Sequence, residues 1–292
     1  MTISNKLPED ILQKPYFWLL LIATALFTIY FGILWRLDDV AHIGMSALFL
    51  AGIGSLIWDR KETLKFQTKP LAIVIAVILI LITLYGLTLD IVVNTIEVIV
   101  RVSPLMFGIS LALLAAGFKG FKEYWRELAI LGGLSLPSVI ISPWDLSPLT
   151  AKVASVVLWA MGYNIALDGI RLHLPQTSVI VARQCSGAEA MTYVFGISIL
   201  FLVMFPIKRI HNFIVPIIAA AIGYIVNLIR VLAMCLLLNY GQKEAFDYWH
   251  EGDGALLIGV IGVLVFSVFY FTLLKFTVED EEEDNEEIEL AS

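Results

Sequence analysis

Charged residues, cysteine and histidine are all scarce in this chain. Charged residues make up 15% of the 292 residues, and there are two cysteines and four histidines. Two cysteines are too few for a disulfide scaffold. His250-Glu251 is followed by Gly-Asp-Gly, so the His-Glu-x-x-His motif is missing and that class of zinc protease is excluded. No internal repeat is evident, and the alternating strands of about ten residues that build a membrane barrel are missing too.

Hydrophobic residues dominate the composition. They form 59% of the chain and the mean hydropathy is +0.88, whereas soluble domains average about 45–50% apolar residues. Continuous apolar runs of about 18–25 residues suit a hydrocarbon core of about 30 Å. We therefore predict an all-α polytopic membrane protein with about eight transmembrane helices. The predicted spans lie near 17–35, 39–58, 71–89, 98–118, 127–142, 187–205, 213–238 and 255–276.

Basic residues mark one side of these spans. Cytoplasmic loops carry an excess of Lys and Arg. The basic residues of alternate loops are Lys6, Lys14, Arg60, Lys61, Lys65, Lys69, Lys119, Lys122, Arg126, Lys208 and Arg209. The intervening loops 90–97 and 142–150 are poor in them. This pattern predicts a multi-pass membrane protein with its N-terminus and its C-terminal tail in the cytoplasm. The N-terminus also lacks the features of a cleaved signal peptide.

The apolar segment 150–167 does not fit as a further span. If it crossed the membrane, the basic loop at Lys208 and Arg209 would lie outside, against the charge rule. We therefore expect an interfacial or re-entrant segment. The residues expected to share its apolar helical face are Val153, Val156, Val157 and Met161.

The next stretch, 169–183, has the character of extended chain. It is rich in β-branched residues and partly alternates between apolar and polar positions, which is typical of strands. We predict two short extended segments around Pro175, forming a small hairpin on the outer face before Cys185. Further along, the acidic run 279–292 is a block of like charges, which predicts a disordered tail.

Cys185 is the first candidate for chemistry. It stands in Arg-Gln-Cys-Ser-Gly at the expected start of a helix, where free N–H groups and the helix dipole favour a thiolate. Arg183 adds positive charge two residues earlier. Cys235 serves as a comparison, because it lies in the middle of an apolar span and is interpreted as a packing residue.

Arg230 is the strongest physical anomaly, since it lies inside an apolar span. A charge there is costly and generally has a function. Asn227 lies three residues earlier on the same helical face. Glu189 lies four residues after Cys185 and is the natural partner for the guanidinium. We expect Glu189 and Asn227 to hold Arg230 in place.

His250 precedes the last span in Asp-Tyr-Trp-His-Glu-Gly. Its aromatic neighbours suit a membrane interface, and an imidazole is the side chain best able to exchange protons near neutral pH. With Cys185 and Arg230 it falls on one side of the membrane. A thiolate nucleophile, an arginine that stabilises the oxyanion or the thiolate, and a histidine that protonates a leaving amine are the parts needed for covalent acyl transfer.

These residues resemble the exosortase/archaeosortase family of membrane cysteine transpeptidases. The resemblance rests on Cys-Ser-Gly opening a span, Asn-Leu-Ile-Arg-Val in the next, and a histidine before the last, and it covers about residues 130–275. It implies that Cys185, Arg230 and His250 are the catalytic positions. It also implies a division into N-terminal helices 1–126, an exosortase-like core 127–278 and the acidic tail 279–292.

The resemblance also implies the partners. Substrates would be membrane-tethered proteins with a C-terminal sorting signal, made of a short motif, one transmembrane helix and a basic cluster, as in PEP-CTERM proteins. The active site would face the extracytoplasmic side, and the new carboxyl end would pass to a lipid, an amine or water. No cofactor, metal or nucleic acid is implied. Common exosortases follow Cys-Ser-Gly with Leu or Ile and then Arg-Ser. This chain has Ala188-Glu189-Ala190-Met191 instead, and its glutamate resembles the archaeal relatives.

Other functions remain open at this point. A transporter or channel fits the many spans and the buried arginine. An intramembrane serine protease would use Ser186, which is better explained as part of the cysteine motif. A non-enzymatic assembly factor would not depend on Cys185.

Overall fold

Helices dominate the structure, a computed structural model that describes residues 15–64, 66–89, 93–141, 143–207, 211–250 and 253–291. The chain divides into two compact units, Met1–Val139 and Ile140–Ser292. Several residues on which the predicted orientation rests lie outside the described residues. They are Lys6, Lys14, Lys65, Lys208 and Arg209.

The N-terminal unit is built from long apolar helices. Its elements are α1 (Pro15–Arg36), α2 (Val40–Asp59), α3 (Pro70–Thr88), α4 (Val93–Ala116), a 3₁₀ turn (Gly117–Lys119), α5 (Gly120–Glu123) and α6 (Trp125–Ile141). Asp39 caps α2 by accepting a hydrogen bond from the His42 N–H at 3.0 Å, as an N-terminal cap should. Tyr30 and Phe107 are fully buried in the core between α1 and α4.

The C-terminal unit combines helices with a small sheet. Its elements are α7 (Ser147–Ala160), β1 (Ala166–Asp168), β2 (Arg171–His173), β3 (Ser178–Ile180), a 3₁₀ turn (Arg183–Cys185), α8 (Ala188–Met204), α9 (His211–Asn239), α10 (Lys243–His250) and α11 (Asp253–Ala291). Helices α8 and α9 pack very closely at Gly223. A Cβ atom built on this glycine would lie 2.5 Å from the carbonyl oxygen of Ala190. Only glycine permits that approach.

Six helical stretches within the described residues are long and apolar enough to cross a membrane. They are Pro15–Arg36, Val40–Asp59, Pro70–Thr88, Val98–Glu123, Asn212–Asn239 and Leu256–Thr277. This confirms an all-α polytopic membrane protein, and the six match predicted spans closely. The other two predicted spans correspond to α6 and α8, which have 17 residues each. Helices of that length reach about 26 Å, so the count of eight stays a prediction.

The sheet is larger than the hairpin that the sequence predicts. Strands β2 and β3 are the two extended segments expected around Pro175, and β1 adds a third, giving an antiparallel sheet in the order β1-β2-β3. The turn between β2 and β3 is anchored from α9, since the Gln176 N–H donates to Oδ1 of Asn239 at 3.2 Å. Leu172 of β2 is fully buried, so one face of the sheet belongs to the core of this unit.

Helix α7 forms the first part of the segment predicted to be interfacial. With 14 residues it extends about 21 Å and is too short to cross a bilayer of about 30 Å. Its protein-facing side carries Ala151, Ala154 and Leu158, which are fully buried. The predicted apolar face points elsewhere: Val156 and Met161 are more than half exposed. That arrangement agrees with a helix that packs on one side and contacts lipid on the other.

Helix α6 packs within the N-terminal unit. Arg60 pairs with Glu127, and a Cβ atom at Gly108 would lie 2.2 Å from Cδ1 of Leu131. These contacts bind α6 to α2 and α4, and the compact N-terminal unit extends to Val139. The division at residue 126 that the family resemblance implies stays a prediction.

The acidic tail continues the backbone of the last helix. Helix α11 runs without a break to Ala291, so residues 279–291 have a helical backbone in this structure. Glutamate and leucine are good helix formers, and extension of an existing helix avoids the unfavourable nucleation step. The disorder expected for 279–292 from repulsion between like charges stays a prediction.

Candidate active site

Cys185 lies in a tight turn that leads into α8. Its N–H donates to the carbonyl of Ala182 at 2.9 Å, and the Ser186 N–H donates to that of Arg183 at 3.1 Å. Helix α8 begins at Ala188, with Gly187 as its N-terminal cap. The sequence prediction that Cys185 itself opens the helix is therefore corrected by three residues. The thiol is 6% exposed.

Gly187 makes this turn possible. Its φ of +91° lies in the left-handed region that side chains other than glycine avoid. A Cβ atom there would also lie 3.0 Å from Nδ2 of Asn227 and 3.3 Å from Cδ2 of Tyr224. Glycine is thus required on two grounds, and the Cys-Ser-Gly sequence is explained by local geometry.

Two buried side chains hold the carbonyls of the turn. Asn227 of α9 donates from Nδ2 to the carbonyl oxygen of Cys185 at 3.0 Å. Thr150 of α7 donates from Oγ1 to the carbonyl oxygen of Ser186 at 2.7 Å. Asn227 is 4% exposed and Thr150 is fully buried, so both bonds are shielded from competing water. The turn around the candidate nucleophile Cys185, residues 182–187, which we name the nucleophile turn, is therefore fixed from two helices.

His250 approaches the thiol from the end of α10. Its Nε2 lies 3.7 Å from Sγ of Cys185, within hydrogen-bonding range for sulfur. Phe246, one turn earlier on the same helix, stacks on the imidazole with centroids 5.0 Å apart and planes 13° from parallel. The stacking restricts the ring, so the two groups predicted to exchange a proton are brought together and oriented.

Arg230 binds the backbone that carries His250. Its Nε donates to the carbonyl oxygen of Trp249 at 3.0 Å, and its Nη2 donates to that of His250 at 2.7 Å. A cation at this position satisfies the last carbonyls of α10 and interacts favourably with the negative end of the helix. Arg230 therefore has carbonyl partners where the sequence suggested the carboxylate of Glu189.

The remaining predicted supporting residues lie at the surface. Glu189 is exposed, and its carboxylate accepts a hydrogen bond from the Tyr193 hydroxyl at 2.8 Å. Arg183 is exposed as well. Hydrogen bonds from Ser147 lower the pKa of Asp145, and the guanidinium of Arg183 lowers it further. Asn227 is the supporting residue that the structure brings to the site, where it holds the nucleophile turn and not Arg230.

A small apolar cavity opens beside the thiol and the imidazole. Its volume is about 30 Å³, and its lining consists of Val179, Ile180, Val181, Cys185, Val231, Met234, Phe246 and His250. The lining apart from Cys185 and His250 is apolar. Cys235 is fully buried in the same hydrophobic cluster, which confirms its interpretation as a packing residue.

Thr150 and Phe246 were missed by sequence reasoning. Phe246 precedes His250 by four residues, and that spacing on a helix places two rings on one face, so it was open to prediction. Thr150 acts across 36 positions of sequence, and nothing in its own neighbourhood signals the contact. Among the residues that the structure describes, no group of three or more His, Cys, Asp or Glu side chains is arranged to hold a metal.

Comparison with known proteins gives a family match and a distant relative. The family model described as transmembrane exosortase matches residues 34–267. The probable archaeosortase E of Methanocaldococcus jannaschii is 24% identical over 94 residues, which is 32% of this chain and 48% of the relative. The chain thus spans about half the length of that curated relative. No solved structure matches the chain significantly.

Proposed function

This chain belongs to the transmembrane exosortase family, and from that premise we propose that it is a membrane-embedded cysteine transpeptidase that cleaves C-terminal sorting signals of exported proteins. One observation carries the mechanism: Sγ of Cys185 and Nε2 of His250 lie 3.7 Å apart beside a cavity that both line. A nucleophile within reach of a base, with the base oriented by a third group, is the pattern of covalent catalysis.

The first half of the reaction forms an acyl-enzyme. The Cys185 thiol gives its proton to His250, and the sulfur attacks the scissile carbonyl to form a tetrahedral intermediate. When the intermediate collapses, the C–N bond breaks and His250 returns the proton to the leaving amine. The product amine departs with the C-terminal transmembrane segment, and the exported protein stays bound to Cys185 as a thioester.

The second half transfers the acyl group. An acceptor amine, lipid hydroxyl or water loses a proton to His250 and attacks the thioester carbonyl. The C–S bond breaks, and the proton on His250 restores the thiol. The exported protein leaves with a new C-terminal bond or a free carboxylate, depending on the acceptor. The same imidazole serves as base and acid in both halves.

We assign Arg230 a positioning role together with its charge. Through the carbonyls of Trp249 and His250 it fixes the end of α10 and therefore the imidazole. Both of these acceptors are uncharged, so the positive charge remains available to favour a thiolate or a developing oxyanion. Asn227 lies one helical turn away on α9 and holds the nucleophile turn. A single helix thus supports the positions of both catalytic side chains.

We further propose that the site faces the extracytoplasmic side, with the N-terminus and the acidic tail in the cytoplasm. The basic loops of the sequence support this orientation. A membrane-impermeant maleimide applied to intact cells should then label Cys185, and an epitope tag inserted at residues 143–146, before α7 begins, should be accessible from outside. Access to both only after the cytoplasmic face is opened would show the opposite orientation.

The decisive test of the activity is the chemical identity of the new C-terminus on a membrane-tethered substrate. Mass spectrometry should show one defined cleavage position in cells with the wild-type enzyme and uncleaved substrate with Cys185→Ala. Cys235→Ala is the matched control and should process normally, because Cys235 is a fully buried packing residue, whereas the imidazole contact is made by Cys185. Full processing by Cys185→Ala would refute the proposal and leave a transporter or an assembly factor.

A further inference from the structure

Strand β3 offers an open edge next to the proposed active site. In the part of the chain that the structure describes, the strand order β1-β2-β3 leaves β3 paired on one side only. Leu174 N–H donates to the Thr177 carbonyl, and Val181 N–H donates to the Ile170 carbonyl. Hydrogen-bonded pairs alternate along antiparallel strands, so Thr177, Val179 and Val181 direct their N–H and C=O groups toward β2. Ser178 and Ile180 direct theirs to the open side.

The cavity beside Cys185 lies against this same strand, since Val179, Ile180 and Val181 line it. Val179 and Val181 are two residues apart and therefore point to the same face of the sheet. On that face they pack in one hydrophobic cluster with Cys185, Val231 and Met234. A strand added at the open edge would present every second side chain to this face, beside Val179 and the cavity.

We propose that the substrate binds here as an added β-strand, with its scissile bond at Cys185 and one small uncharged side chain in the cavity. The inference rests on the proposed function and specifies its substrate class: an extended peptide segment, recognised mainly through its backbone. An open strand edge is a ready template for such pairing. The cavity, which is continuous with the thiol and the imidazole, identifies the occupant as the segment that is cut.

The dimensions of the cavity limit the side chain that it accepts. A volume of about 30 Å³ holds one or two water molecules, which corresponds to a methyl or hydroxymethyl group. Its walls from β3, α9 and α10 are apolar, so a charged group would lose its hydration without gaining a partner. Glycine, alanine and serine fit, whereas leucine, phenylalanine and charged residues do not.

The backbone contacts that remain available also predict a pattern. The Ile180 carbonyl accepts a hydrogen bond from the Ala182 N–H at 3.1 Å. The added strand is therefore expected to bond with both groups of Ser178 and with the N–H of Ile180. Strand pairing uses every second residue of the partner, so blocking successive N–H groups of a bound peptide should have alternating effects.

The test uses tripeptide chloromethyl ketones on the purified full-length protein in lipid nanodiscs. The thiolate of Cys185 displaces chloride from these probes, and mass spectrometry measures the rate of thioether formation. Probes ending in Gly or Ala should react about tenfold faster or more than probes ending in Leu or Phe. Val179→Ala should reduce this preference by enlarging the cavity. Equal rates for all probes would overturn the cavity assignment.

The strand edge is tested by proline variants and N-methylated probes. Ile180→Pro removes an N–H that faces the open edge, and proline is tolerated at such positions. Leu167→Pro is the matched control, because Leu167 has the corresponding outward position on β1, the other edge strand. Ile180→Pro should slow the peptide probes about tenfold, and Leu167→Pro should not. Single N-methyl groups along the alanine probe should slow labelling at alternate positions only.

The outcomes separate this inference from the proposed function. Iodoacetamide, which needs no strand pairing, reports the reactivity of the thiol itself and should label Cys185 equally in Ile180→Pro and wild type. If peptide probes label Cys185 but Ile180→Pro and N-methylation have no effect, strand addition is wrong while the nucleophile stands. If Cys185 resists the probes and iodoacetamide alike, the proposed function fails first.

Discussion

Arginine has different partners in the two units of this chain. In the N-terminal unit Arg60 forms an ion pair with Glu127, with Nη2 to Oε1 at 2.5 Å, and Arg101 forms one with Asp39, with Nη2 to Oδ2 at 2.9 Å. In the C-terminal unit Arg230 donates to two backbone carbonyls instead. A carboxylate neutralises the charge of its partner, whereas a carbonyl satisfies the hydrogen bonds and leaves the charge in place.

The difference indicates what each unit requires from its arginines. An ion pair between helices stabilises packing at a low electrostatic cost in apolar surroundings. An arginine on carbonyls at the end of α10 holds a short helix and keeps a positive charge near Cys185 and His250. In the proposed reaction, that charge would favour the anions that form during acyl transfer. The comparison therefore predicts that the first kind of arginine affects stability and the second kind affects rate.

Replacing Arg230 should produce the largest effect. Arg230→Ala removes both bonds to the end of α10 and should lower the processing rate about 100-fold or more, as when the group that orients a catalytic histidine is lost. The protein should still accumulate in the membrane. Because the role is positioning plus charge, the pH profile of the residual activity should also change. Arg230→Lys should recover part of the rate, because lysine keeps the positive charge and can form one of the hydrogen bonds. It cannot form both hydrogen bonds to the carbonyls of Trp249 and His250 at once, so the rate should stay below wild type.

Arg101→Ala is the matched variant in the N-terminal unit. Loss of this partner for Asp39 should cost about 1–3 kcal/mol of unfolding free energy, measured as a lower midpoint of thermal inactivation. Activity per folded molecule should stay near wild type. The double variant Asp39→Asn/Arg101→Ala keeps a side chain that can cap α2 and should recover stability relative to the single one. If Arg101→Ala lowers the rate per molecule as strongly as Arg230→Ala, the distinction between the two units is wrong.

Two threonines allow the same comparison for a weaker interaction. Thr150 donates to the Ser186 carbonyl at 2.7 Å, and Thr68 of the N-terminal unit donates to the Leu113 carbonyl at 2.9 Å. Valine has nearly the same shape without the hydroxyl. Thr150→Val should slow processing about tenfold by loosening the nucleophile turn, while Thr68→Val should affect stability alone, by about 1 kcal/mol.

The conservative variant supplies the control for Thr150. Thr150→Ser keeps the hydroxyl and should restore the rate, which a defect in folding or packing would not predict. A double-mutant cycle with Asn227→Ala extends the test, because both side chains hold the same turn. Their effects on the rate should be non-additive. Strictly additive effects would mean that the two hydrogen bonds affect the rate independently of each other, and not through a shared effect on the turn.

The sequence predicted the spans far better than the contacts between side chains. Apolar run length is a one-dimensional property, so the six long helices could be placed to within a few residues. The proximity of Cys185 and His250 followed from the family motif. The partners of Arg230 could not be predicted, because every residue carries a carbonyl and no sequence pattern marks which one an arginine will bind.

The small sheet shows the same limit. Strand β1 lies at the end of an apolar segment whose composition is equally typical of helix, so only its partner β2 distinguishes it as a strand. Short strands depend on cross-strand contacts more than on their own residues. The contact of Thr150 is likewise a tertiary one. Local sequence pattern therefore predicted most of the helices and strands. Strand β1 and the contact of Thr150 were not predicted, because they depend on residues distant in sequence.

The acidic tail should give the smallest effect and extends the comparison to negative charge. Residues 279–289 contain a dense run of Asp and Glu. In the proposed orientation they lie on the side where the basic cluster of a substrate is expected to emerge. We expect truncation after Thr277 to slow processing about two- to fivefold at low ionic strength by weakening electrostatic recruitment. The difference should vanish in high salt, where charges are screened over a few ångströms.

A full-length variant with the acidic residues of 279–289 changed to Gln and Asn separates charge from length. It should match the truncation if recruitment is electrostatic, and a substrate with its basic cluster neutralised should be processed equally by all three enzymes. The tail acts on encounter, so KM should rise while kcat stays constant, in contrast to Arg230→Ala, where kcat should fall. If the truncated enzyme equals wild type at low salt, the tail has no part in recruitment, and the charges that govern processing are confined to the site around Cys185.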